Sequence, residues 1–235
     1  MKVDIGIIGA LSNEVEKLIS AIENRSKESV SGIDFYTGTL DGKCVVVAKC
    51  GVGKVYAAMC AEAMIIKYSP KIIINTGVAG ALKSGIKTLD VVIATSLVQH
   101  DMDTTAVGDP RGMIMVGTEE KIFFEADTNA QKVISEAADE LSLTSYSGPI
   151  ASADKFVASR EEKEEIRELF GAYACEMEGA SIAQVAYVNS VPFAVIRAIS
   201  DSADTEATMD FPTFMPLAAE NSTALTRAFI KKINL

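Results

Sequence analysis

Short apolar runs alternate with mixed, charged segments along this chain. Val3 to Gly9 is an apolar run of the kind that forms a strand buried on both faces. Asn13 followed by Glu16 fits a capping box, which predicts a helix from there to about Ile22. Glu14 then lies in the first helical turn at the carboxyl end of the first strand, the edge where open α/β sheets take their ligands. Phe35 to Leu40 and Lys43 to Cys50 flank Asp41-Gly42, a hairpin signal. Gly51-Val52-Gly53-Lys54 opens a helix to about Tyr68. An apolar strand over Lys71 to Asn75 runs into the small-residue turn Thr76-Gly77-Val78-Ala79-Gly80, and another strand covers Asp90 to Thr95. His100 to Gly112 reads as a covering loop.

The second half continues the alternation. Thr128 or Asn129 caps a helix to about Leu141, and Ser145 to Ile150 is a short strand. Ser159-Arg160-Glu161-Glu162 is a capping box for a helix ending near Phe170, whose charges read as a solvated face. Ala174-Cys175-Glu176-Met177-Glu178-Gly179-Ala180 precedes an alanine-rich helix to about Asn189. Pro192 to Ile199 is a strand ending in Ser200-Asp201, and a last helix covers Phe214 to Lys232. No linker or repeat interrupts the series. The reading is one α/β domain over residues 1–235, a three-layer α/β/α sandwich whose central sheet is mixed because of the hairpin.

Composition narrows the function. Hydrophobic residues are 49% of the chain, ample for a core, and 22 basic against 32 acidic residues leave a net charge of −10. That charge opposes nonspecific nucleic-acid binding. The apolar run Ala57 to Ile66 contains Glu62 and is too short to span a bilayer, and the N-terminal run reads as a strand, not a signal peptide. Cys44, Cys50, Cys60 and Cys175 have no zinc spacing. Cys44 and Cys50, about 20 Å apart in an extended strand, cannot bridge. His100 is the only histidine. The expectation is a cytoplasmic protein with free thiols, no metal and no cofactor.

The chemistry concentrates in acids. In an extended segment Glu176 and Glu178 point to one side. Neighbouring carboxylates call for a cation, a pair of hydroxyls or a shared proton; alternatively they serve the start of the next helix. Asp201, after Ser200, ends an apolar strand, where it is either a ligand-facing acid or a turn former. Arg197 inside that strand needs a partner, which Glu14, Glu176 or Glu178 can supply. The turn Gly77-Val78-Ala79-Gly80 leaves room for a ligand, and Phe156 is an aromatic just after a strand. Gly51-Val52-Gly53-Lys54 is neither a Walker loop, since Ala48 and Val55 break the pattern, nor a dinucleotide fingerprint, since Tyr56 replaces the third glycine.

Taken together, Gly6-Ile7-Ile8-Gly9-Ala10 with Glu14, Gly51-Val52-Gly53-Lys54-Val55, Ile74-Asn75-Thr76-Gly77, Glu176-Met177-Glu178 and Arg197-Ala198-Ile199-Ser200-Asp201 resemble the 5′-methylthioadenosine/S-adenosylhomocysteine nucleosidases of the purine nucleoside phosphorylase superfamily, nearly end to end. The resemblance implies hydrolysis of the N-glycosidic bond between adenine and a 5′-thio-substituted ribose, with 5′-deoxyadenosine as a further substrate, in methionine salvage. It implies that Asp201 delivers a proton towards N7, Glu14 activates water with Glu176 and Arg197 placing it, and Glu178 accepts the ribose hydroxyls. Phe156 would pack on adenine and Val157 would offer backbone groups to its edge. Leu11, Val52, Met177 and Phe211 would wall the 5′-thio group. A homodimer is implied, with the loop at residues 100–110 closing the partner's pocket through Val107. Val78 stands where relatives often have a water-holding serine, and the partner loop is shorter and less aromatic. Two enzymes of the same fold remain as alternatives, a phosphorylase and a futalosine-type hydrolase, and beyond them a non-catalytic nucleoside-binding protein. An acid at the nucleophile site argues against phosphate, and the retained acid set argues against a binding relic.

Overall fold

A computed structural model describes residues 2–201 and 207–235; Asp204, three residues past Asp201, lies outside the described residues. Strand β1 (Ile5–Gly9) leads into helix α1 (Ser12–Ser20), followed by β2 (Glu23–Val30), β3 (Ile33–Leu40), β4 (Lys43–Lys49) and α2 (Lys54–Tyr68). The middle of the chain forms β5 (Ile72–Ala81), β6 (Val91–Gln99), a 3₁₀ turn at Thr105–Val107, β7 (Ile114–Val116), β8 (Glu119–Lys121), β9 (Phe124–Glu125) and α3 (Thr128–Glu140). The last third comprises β10 (Ser145–Ser152), α4 (Arg160–Phe170), β11 (Ala174–Glu176), α5 (Gly179–Val188), β12 (Phe193–Asp201) and α6 (Ala207–Lys232).

The main sheet runs β11-β10-β6-β12-β5-β1-β4-β3-β2 and is mixed. β1 lies parallel between β4 and β5, whereas β12 is parallel to β5 and antiparallel to β6. The period of two sorts the apolar side chains between layers. Ile7, Val47 and Ile74 face α1, α3 and α6, while Ile8, Val46 and Ile73 face α2 and α5. The expected three-layer architecture is therefore present, with helices on both faces.

One end of the sheet does more than a flat sandwich would. β11 pairs parallel with β10 and also antiparallel with the end of β5, through Ala174 with Ala81 and Cys175 with Gly80. β5, β12, β6, β10 and β11 thereby close on themselves. The closure brings the end of β11, with Glu176, beside the end of β12, with Asp201.

The Asp41-Gly42 hairpin forms as expected, with positive φ at both residues (48° and 83°), the requirement of a tight primed turn. Several elements depart from the sequence expectation. The Thr76–Gly80 stretch is not a turn, because β5 continues through it to Ala81. The capping box of α1 is not Asn13 with Glu16: the helix begins at Ser12, and Glu14 reaches back to the N-cap backbone. Asp127, not Thr128 or Asn129, caps α3 by accepting from the Ala130 amide at 2.8 Å. The Ser159 cap of α4 does form, accepting from Glu162 at 3.2 Å. α6 begins at Ala207, ahead of Phe214, and takes Pro212 and Pro216 into it.

Candidate active site

The carboxyl end of β1 and the start of α1 fold around one carboxylate. Glu14 Oε2 accepts the backbone N–H groups of Ala10 at 2.7 Å and Leu11 at 2.9 Å, donors left unpaired by the helix start. Its Oε1 accepts the Val78 N–H at 3.1 Å from β5. The side chain is only 3% exposed. Burial pushes its pKa above the ordinary carboxylate range, against the pull of Arg197 and the three N–H groups. Gly77 makes this arrangement possible, since a Cβ there would stand 2.6 Å from Glu14 Oε1.

Glu176 and Glu178 point into the same space but do different work. Glu176 is the partner that the sequence demanded for Arg197, whose Nη2 donates to Glu176 Oε2 at 2.5 Å and to Asn75 Oδ1. Both members of this ion pair are buried. Glu176 also accepts from the Ser152 hydroxyl and from the Glu178 and Gly179 amides at 3.0 and 2.7 Å. It thus anchors the start of α5 as well as Arg197, so the structural and the site-facing readings of this acid are both realised. Burial opposes the Arg197 charge, yet Glu176, Glu178 and Glu14 together hold its pKa above the ordinary value. Glu178 is less committed: its Oε1 accepts the Gly53 N–H at 2.9 Å. Burial and the neighbouring Glu176 push its pKa up to about 7.

Asp201 ends β12, buried. Ser200 Oγ donates to its Oδ1 at 3.0 Å, and Lys163 Nζ donates to its Oδ2 at 3.1 Å. Lys163 comes from α4, whose charges the sequence reading assigned to a solvated face. That reading is corrected at this one residue, for Lys163, Ile166 and Phe170 form the buried stripe of the helix. The available signal was spacing: the lysine sits three residues before an isoleucine and seven before a phenylalanine on one helical face. Gly80 has the same relation to Asp201 as Gly77 has to Glu14, since a Cβ there would lie 2.7 Å from Asp201 Oδ2.

These acids open onto one cavity of about 290 Å³. Glu14, Glu176, Glu178, Ser200 and Asp201 supply its polar lining, and Val78, Ala79 and Gly80 form a wall from β5. Leu11, Val52, Met177, Phe156 and Phe211 form the apolar part. Phe156 is not packed in the core: it is 44% exposed, and its ring meets Phe211 edge to face at 5.5 Å. Val157 lies beside the cavity, in a small recess bounded by Phe156, Cys175 and Asp201. Ala10 and Cys175 also line the site, and Lys163 and Asn75 stand behind it; the sequence reading assigned none of the four. Arg197 is buried behind Glu176 and does not line the cavity. Val107 is not at the cavity of its own chain; it sits on the 3₁₀ turn, 79% exposed. Chemically, the arrangement offers a proton acceptor at Glu14, a hydroxyl acceptor at Glu178 and a side-chain acid at Asp201 around an apolar-walled volume.

Comparison with known proteins finds relatives along nearly the whole chain. The profile of the Phosphorylase superfamily matches residues 4–231. A 5′-methylthioadenosine/S-adenosylhomocysteine nucleosidase of Staphylococcus aureus (strain JH9) is 38% identical over 230 residues, 97% of this chain and 100% of the relative. The crystal structure of the Neisseria meningitidis 5′-methylthioadenosine/S-adenosylhomocysteine nucleosidase in complex with methylthio-immucillin-A superposes with a TM-score of 0.92 at 38% identity, over 98% of this chain and 99% of the other. The native futalosine hydrolase of Helicobacter pylori strain 26695 gives a TM-score of 0.90 at 34% identity, over 98% of both chains.

Proposed function

The chain belongs to the phosphorylase superfamily and within it to the 5′-methylthioadenosine/S-adenosylhomocysteine nucleosidases, and we propose from that premise how its single domain carries out the reaction. The enzyme hydrolyses the N-glycosidic bond of 5′-methylthioadenosine and S-adenosylhomocysteine, releasing adenine and the 5-thio-substituted ribose, a step of methionine salvage. The observation that carries the reading is the convergence of Glu14, Glu178 and Asp201 on one apolar-walled cavity.

As the C1′–N9 bond breaks, its electron pair goes to the base and the ribose takes on oxocarbenium character. Asp201 passes a proton to N7, so adenine leaves neutral. Water adds to C1′ and gives its proton to Glu14, whose raised proton affinity suits a base. Net transfer of one proton from Glu14 to Asp201 through solvent restores the resting state. Glu178 accepts the 2′ and 3′ hydroxyls, and its negative charge, with that of Glu176, stabilises the developing cation. Arg197 keeps Glu176 in place and with it the water. Phe156 stacks on adenine with Val157 at its edge, while Leu11, Val52, Met177 and Phe211 surround the 5′-thio group. Phosphate is a poor alternative nucleophile here: the lining acids repel it, and Arg197 is already engaged by Glu176 and Asn75.

The enzyme acts as a homodimer in the cytoplasm. Support comes from Val55, Tyr56, Met59 and Ile66, an exposed apolar stripe along α2, continued by Val188 on α5. The loop at residues 100–110 then closes the partner's cavity with Val107. No helix among the described residues is long and apolar enough to cross a membrane, and all four cysteines are free.

Product analysis on methylthioadenosine, with and without phosphate, tests the reaction. The expected result is adenine plus methylthioribose at a rate independent of phosphate. A sugar 1-phosphate formed only with phosphate would overturn the water assignment. The likeness to the futalosine hydrolase keeps a second reading in view. Adenine absent from methylthioadenosine, with the base released from futalosine, would establish that reading instead.

A further inference from the structure

We propose that Lys163 is a positioning residue of the reaction, an ammonium group fixed against Asp201 that strengthens it as the acid for the leaving base. The inference rests on Asp201 having that role. α4 turns one lysine inward from a run of exposed charges, and both partners of the Lys163–Asp201 pair are almost fully buried, at 2% and 3%. An unpaired ammonium ion at such depth is strongly disfavoured, so the position is specified by its partner. Lys163 grips Oδ2 while Ser200 grips Oδ1, and Gly80 leaves the space that the carboxylate fills. The acid is thereby held in one orientation towards the recess beside Phe156 and Val157.

The cation also acts on the chemistry. When Asp201 gives its proton to N7 it becomes a carboxylate, and Lys163 stabilises the charge that appears at that moment. The consequence is a stronger acid that is protonated over a lower pH range. Among the described residues, Glu176 and Cys175 on β11, Glu162 on α4 and Lys155 before it are further charged or titratable groups around the pair. Lys155 is itself paired with Glu162 at 2.8 Å, and the Cys175 thiol is pushed by burial up to about 12. Removing Lys163 therefore removes the cation that touches Asp201 at Oδ2.

The test compares Lys163→Met, Lys163→Gln and Lys163→Arg with the unmodified enzyme, measuring kcat and kcat/KM on methylthioadenosine against pH, and Tm alongside. Activity of the unmodified enzyme on that substrate checks the reaction itself, so a failure there is separate from a failure of this inference. For Lys163→Met the alkaline fall in kcat/KM should move up by about one to three pH units, the effect of an adjacent opposite charge. Its plateau kcat should drop about tenfold or more. Lys163→Gln, which can hydrogen-bond but carries no charge, should follow Met and serves if Met does not fold; Lys163→Arg should restore the original limb. A Met or Gln profile that superposes on the unmodified one, with only Tm lowered, would overturn the proposal and leave Lys163 a purely structural lysine.

Discussion

The Glu14 and Asp201 sides of the cavity hold their acids by different means. Glu14 is gripped by three backbone N–H groups, from Ala10, Leu11 and Val78. Asp201 is gripped by side chains, Lys163 and Ser200 among the described residues. Amide donors bring partial charge and fixed geometry, so burial still wins and Glu14 keeps a raised proton affinity. An ammonium group brings a full charge and works in the other direction on its carboxylate. One strand serves both, since Gly77 and Gly80 of β5 each vacate the volume that one carboxylate occupies. The proposed base and the proposed acid, both carboxylates lining one cavity, are thus set apart by the donors that hold them.

Removing either acid is the strongest way to break this contrast. Glu14→Gln and Asp201→Asn should each lower kcat by about 10² to 10⁴ while substrate binding persists. The two should differ in what restores turnover: a substrate analogue with a better leaving group should rescue Asp201→Asn but not Glu14→Gln. Equal rescue of both would mean that the acid and base roles are not divided as described. Steady-state kinetics on the two substrates decides it.

The two glycines give a smaller, more local test. Gly77→Ala places a methyl group 2.6 Å from Glu14 Oε1, and Gly80→Ala places one 2.7 Å from Asp201 Oδ2. Each carboxylate must shift, and displacement on this scale should cost about tenfold to a hundredfold in kcat. The backbone cradle around Glu14 has less freedom to follow than the Lys163 and Ser200 side chains, so Gly77→Ala should be the more damaging. A Gly80→Ala enzyme slower than Gly77→Ala would reverse that ordering.

Much of this site was legible in sequence because strand ends announce themselves by the change from apolar runs to acids and small residues. Glu14, Glu176, Glu178 and Asp201 all stand at such changes, and all line the cavity. The Asp41-Gly42 hairpin was legible because few other dipeptides accept two positive φ angles in succession. β2 was not, since most of its residues are exposed and it lacks the alternation that marks a half-buried strand. The end of β5 was misread because its glycines resemble a turn; their function is to clear space for side chains from elsewhere, which no local pattern reveals. Lys163 was hidden by its neighbours: one inward lysine in Arg160-Glu161-Glu162-Lys163-Glu164-Glu165 looks like part of a solvated face until its partner, 38 residues away, is in place. The closure of β11 onto β5 is likewise a long-range pairing that local periodicity does not encode.

Glu178 offers the subtlest test, because it shares the cavity with both acids yet, among the described residues, is held by the Gly53 amide alone. Its pKa moves from 4.5 to about 7 through burial and the nearby Glu176. The folded protein therefore binds this proton more tightly than the unfolded chain does. The associated stability is present in full below about 4.5 and is lost as pH rises through about 7. Glu178→Gln, which cannot ionise, should flatten that part of the stability profile, so its advantage over the unmodified protein should grow from pH 5 to pH 8 in urea titrations. Catalysis should respond in the opposite sense, because the ribose hydroxyls need the ionised acceptor. KM of the unmodified enzyme should rise as pH falls below about 7, and the Gln variant should show a raised KM with that dependence removed. A Gln variant whose stability profile parallels the unmodified one would mean that the proton resides elsewhere among the coupled acids, with Glu176 or Glu14 as its holder.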